Sequence, residues 1–110
     1  MRVTIPHICY ALLAAMLSSG PALAQHSPKA ERGKVFARAH CSKCHSIDRL
    51  SPSPLKIAPP FRDLHQKYPV DSLAEALAEG IVTGHPSMPE FRLEADQIED
   101  FLAFLKTLAP

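Results

Sequence analysis

The sequence predicts a small all-α fold, on three observations. Three stretches carry apolar residues at three- and four-residue spacing, proline-rich loops separate them, and no stretch alternates in the manner of a strand. The first helix covers about residues 30–40, where Gly33, Phe36, Ala37 and His40 form one stripe. Residues 51–60 follow as an extended loop whose four prolines cannot supply helix-interior donors. A second helix starts at Asp71 or Ser72, with Ser72 and Glu75 spaced as a capping box and Leu73, Leu77 and Ile81 on one face. Gly80 or Gly84 ends it. The third runs over about residues 95–108, with Ile98, Phe101, Leu102, Leu105 and Leu108 at core-facing spacing.

Residues 1–24 read as a cleaved secretory signal peptide, leaving residues 25–110 as one domain. Arg2 gives the positive start, Ile8 to Leu17 ten apolar residues, and Ala22-Leu23-Ala24 the small-x-small cleavage site. Ten apolar residues fall short of the ~20 a membrane helix needs, so no stable membrane anchor is expected. The expected compartment is the periplasm. What remains, 86 of the 110 residues with no tryptophan, has a marginal core that calls for an insert to stabilise it.

Cys41-Ser42-Lys43-Cys44-His45 is the C-x-x-C-H pattern of covalent haem attachment. Two thiols three positions apart can each add to a haem vinyl group, and the adjoining imidazole is then carried to the iron. The competing readings of C-x-x-C are a dithiol redox pair and half of a zinc site. A redox pair goes with a βαβ pattern and a zinc site with a second Cys or His pair at regular spacing, and neither is present. The third cysteine, Cys9, falls in the leader.

These features resemble the class I monohaem c-type cytochromes, in particular the small periplasmic bacterial type. The resemblance rests on Gly33 eight positions before Cys41, the C-x-x-C-H run, Ala58-Pro59-Pro60-Phe61, His85-Pro86-Ser87-Met88-Pro89 and Phe101-Leu102-Ala103-Phe104-Leu105. It implies three to four helices wrapped around one covalent haem c, with the N- and C-terminal helices crossing, Gly33 and Phe36 meeting Phe101 and Phe104. Phe36 stands three positions after Gly33, where many relatives place the aromatic four after. The resemblance also implies that the Pro59 carbonyl accepts from the proximal His45, although Ala58 stands where the family has glycine. The expected metal ligands are His45 and Met88. Met88 is the only one of three methionines outside the leader, and Met88-Pro89 matches the family's ligand loop. Against it stand the general use of methionine as a core filler and the distal candidates His85, His65, His40 and His26, with His85 the runner-up.

Charge divides the mature chain in two: residues 25–67 hold nine Lys or Arg against three acids, residues 68–110 two against eight. Packing of the terminal helices would neutralise much of this; Lys43, Lys56 and nearby bases around a haem edge would instead steer an acidic redox partner. Nucleic acid is not expected, because the total is balanced and no basic stripe interleaves with aromatics. No catalytic constellation is present. The function expected from the resemblance is a monomeric electron carrier, not an enzyme, passing single electrons between periplasmic redox proteins. The alternative is the haem c subunit of a periplasmic or membrane-associated oxidoreductase.

Overall fold

A computed structural model of the chain describes residues 27–82 and 87–110. The leader, His26, Gly84 and His85 lie outside the described residues. Four α-helices are present among the described residues: α1 Pro28–His40, α2 Leu64–Lys67, α3 Leu73–Glu79 and α4 Ala95–Leu108. Single 3-10 turns, Phe61–Asp63 and Val70–Ser72, lead into α2 and α3.

α1 begins two residues earlier than its stripe suggests, because Pro28 occupies the first turn, where a missing N–H costs nothing. Its inward face is made of small residues, Ala30, Gly33 and Ala37. α4 opposes it with a large apolar face, Ile98, Phe101, Leu102, Phe104, Leu105 and Leu108 all being buried. The pairing of α1 with α4 is the main tertiary contact. At the crossing, a methyl on Gly33 would collide with the Asp100 carbonyl and stand 2.9 Å from Phe104 Cβ. Glycine therefore sets how closely the helices approach. The Phe36 ring meets Phe101 edge-on at 5.9 Å, so the three-residue offset from Gly33 still delivers the aromatic contact.

Two local expectations need correction. Ser72 makes no side-chain cap and Glu75 completes no capping box there, because Ser72 already has helical backbone angles at the end of a 3-10 turn. Ile81 lies outside α3: Gly80 ends the helix at φ 108°, and Ile81 pairs with Phe91 in an isolated antiparallel bridge. The helical segment from Phe61 to Lys67 has no counterpart in the sequence reading. At seven residues it is too short for a repeating stripe, and it is anchored by the burial of Phe61 and the Phe61 N–H bond to the Ser46 carbonyl (2.9 Å).

The charge division is partly cancelled inside the fold. Lys29 pairs with Glu99 at 2.5 Å, and Arg32 donates from Nε and Nη2 to the two Asp100 carboxylate oxygens, each at 2.7 Å. Both pairs tie the basic α1 to the acidic α4. Lys43 and Lys56 are exposed and make no ion pair among the described residues.

Candidate haem site

α1 does not stop abruptly at the C-x-x-C-H run; it tightens into it. Cys41 and Ser42 both donate their N–H to the Ala37 carbonyl (2.8 and 3.1 Å), and the Ser42 hydroxyl donates to the Arg38 carbonyl at 2.6 Å. Cys44 and His45 in turn donate to the Cys41 carbonyl at 3.1 and 2.9 Å. One compact turn therefore carries both thiols and the imidazole. Cys41 and Cys44 are free thiols, each half-buried, and Cys41 packs against the hydrophobic core.

His45 is oriented from the far side of the proline-rich loop. Its Nδ1 lies 2.8 Å from the Pro59 carbonyl oxygen. A carbonyl can only accept, so Nδ1 is the protonated donor and the electron pair available to a metal is the one on Nε2. The ring also packs on Phe61, with centroids 5.0 Å apart. Phe61 continues to Phe101 (5.7 Å) and Phe101 to Phe36 (5.9 Å), so the imidazole stands at the end of an aromatic row through the core.

Three supporting residues were not singled out from the sequence. Ser46 is buried, donates its N–H to the Ser53 hydroxyl (3.0 Å) and accepts the Phe61 N–H at its carbonyl. Arg62 reaches the Ser46 hydroxyl and the Asp48 carbonyl at 3.3 Å and the Ser51 carbonyl at 2.7 Å. Asp48 accepts the N–H groups of Leu50 and Ser51, which hold its carboxyl below the usual carboxylate range. The Asp48-x-x-Ser51 spacing of an Asx turn was available as a signal; a lone serine and a lone arginine offered none. Together these bonds, with Leu55 N–H to the Cys44 carbonyl at 3.1 Å, bind the loop to the haem motif.

Met88 is half-buried and is not among the side chains packed on the core. In sequence it lies between Ile81 and Phe91, which pair in an isolated antiparallel bridge. Of the other ligand candidates within the described residues, His65 bonds through Nδ1 to the Arg62 carbonyl (2.7 Å), and His40 lies between Phe36 (4.6 Å) and Phe91 (6.2 Å).

The donor set fits a covalent haem and fits its rivals poorly. Burial pushes the Cys41 thiol up to about 11, whereas a redox-active or zinc-binding cysteine needs a depressed value. No group of three His, Cys, Asp or Glu able to hold a metal ion occurs among the described residues, which leaves a zinc reading without ligands.

An all-α domain whose first helix leads into one turn carrying two unpaired thiols and an oriented imidazole defines a haem-attaching protein of the c type. The chain belongs to the cytochrome c family, whose profile matches residues 30–109. Membership brings covalently attached haem c, a general role in electron transfer and redox proteins as partners. Neither the comparison with curated proteins nor that with solved structures gives a match.

Proposed function

We propose that the protein is a periplasmic monohaem electron carrier in which Cys41 and Cys44 tether the haem and His45 and Met88 are the axial ligands. The carrying observation is the Nδ1–H bond from His45 to Pro59, which leaves Nε2 as the ring's only electron-pair donor. When bound, the haem supplies one-electron exchange between ferric and ferrous iron. The residues of the chain do the rest. Pro59 fixes the imidazole's orientation and raises its basicity; Phe61 holds its face; Cys41 enters its thioether bond as a neutral thiol beside the core. Met88 is outside the hydrophobic core cluster, which supports a ligand role over gap filling for this methionine. Held by His45 and Met88, the haem would have a higher potential than with two nitrogen ligands and would offer substrate no vacant site, which supports an electron carrier over an enzyme.

The signal-peptide reading supports export. No helix among the described residues is long and apolar enough to cross a membrane. Leu50 and Ile57 are 90% and 63% exposed, flanking the Leu55 N–H bond to the Cys44 carbonyl in sequence, and exposed apolar side chains there favour contact with a protein partner. Such a patch serves a free carrier and an oxidoreductase subunit equally; size exclusion of the native protein from its host separates them.

Visible spectroscopy with redox titration tests the ligand set. The ferric protein is expected to show the weak long-wavelength band of iron–thioether ligation, and Met88→Ala to lose it with a fall in potential. An unchanged spectrum and potential in Met88→Ala would remove Met88 from the mechanism.

A further inference from the structure

The loop that carries Met88 leaves and rejoins the fold through one short, heavily bonded seam. The Leu93 N–H donates to the Leu77 carbonyl at 2.8 Å, Arg92 Nη2 donates to the Glu79 carbonyl at 2.9 Å, and the Ile81 N–H donates to the Phe91 carbonyl at 3.0 Å. Three successive acceptors and donors therefore run antiparallel, from the end of α3 to the approach to α4. Gly80 makes the seam possible: its φ of 108° turns the chain out of α3, and the Glu90 side chain lies where a Cβ would stand. Ile81 and Phe91 pack on the core, and the Phe91 ring meets His40, the last residue of α1 before Cys41. The two ends of the loop are thus fixed to the core and to the helix that carries the haem tether.

We infer that this seam is a clamp for the distal ligand and that Arg92 is its positioning residue. Arg92 is exposed and is needed by neither the core nor an ion pair among the described residues; its guanidinium satisfies a carbonyl that the end of α3 leaves without a helical partner. A loop held at both ends loses less conformational entropy when its thioether binds iron than one free at its base. Met88 therefore stays bound against competing ligands because of a bond formed four residues away. This rests on Met88 being the axial ligand, and the experiment separates the two.

Imidazole is titrated into the ferric haem-loaded protein, where it competes with the thioether for iron. Arg92→Ala is expected to bind imidazole about fivefold more tightly than wild type, the worth of one hydrogen bond. Arg92→Lys, which keeps a charged donor, recovers most of the difference. Gly80→Ala, which disturbs the same seam with Arg92 in place, shifts affinity in the same direction. Thr107→Ala, which removes a hydroxyl bond to the Phe104 carbonyl in α4, leaves imidazole affinity unchanged even where it lowers the melting temperature. If Met88→Ala binds imidazole more tightly while Arg92→Ala and Gly80→Ala behave as wild type, the clamp is wrong and the ligand assignment stands. If Met88→Ala itself matches wild type, both fall.

Discussion

His45, the proposed iron ligand, shows how little of a side chain's chemistry lies in the residue itself. The C-x-x-C-H run names the residue, but the Pro59 carbonyl, fourteen positions away, decides which ring nitrogen carries the proton. Pro59 was legible only through the resemblance. Ser46 and Arg62, which brace the same loop, were not legible at all, since a buried serine and a surface arginine acquire their roles from the neighbours that folding brings. At the same scale, Arg32 bonds to Asp100 and holds its carboxyl below the ordinary carboxylate range. A depressed native pKa means the pair stabilises fully above the unfolded value of about 3.9 and is lost as pH falls through the lower folded one. Asp100→Asn is accordingly expected to lower the thermal midpoint at pH 7, with the gap from wild type closing below about pH 4. Thermal melts across that range check it, and a gap independent of pH would assign the loss to something other than this ion pair.

Among the elements, the helices with a full apolar stripe were read most accurately. α4 spans Ala95–Leu108, where its pattern placed it, because five apolar residues at helical spacing leave one way to face a core. α3 was read too long and its capping wrongly, since a 3-10 turn before it and a positive-φ glycine after it are decided by chain direction, not by periodicity. At the α1–α4 crossing, Gly33→Ala gains about 1 kcal/mol of helix propensity but overpacks against the Asp100 backbone, which cannot yield as a side chain can. A net loss of about 2 kcal/mol is expected in guanidinium unfolding of the haem-loaded protein. A neutral or stabilising result would mean the helices can separate without cost.

For the whole molecule, the haem completes a domain too small to bury enough apolar surface alone. Cys41→Ala with Cys44→Ala, which removes the tether, is expected to abolish cooperative thermal unfolding as followed by circular dichroism; a retained sharp transition would show that the polypeptide core suffices. The charge division is only partly an internal matter. Lys29 and Arg32 are spent on α4, the exposed Lys29–Glu99 pair adding little stability. The bases left over near the haem motif are the ones available to a partner.

By itself the sequence determined the haem tether and the all-α class, because each depends on residue types at fixed short spacings; the crossing of the terminal helices came through the resemblance. Only the tertiary structure decided the proton position on His45, the cross-bonding of the proline-rich loop and the seam beneath Met88. Those depend on carbonyls and N–H groups, which every residue carries alike, and only the folded path of the chain brings a particular donor to a particular acceptor.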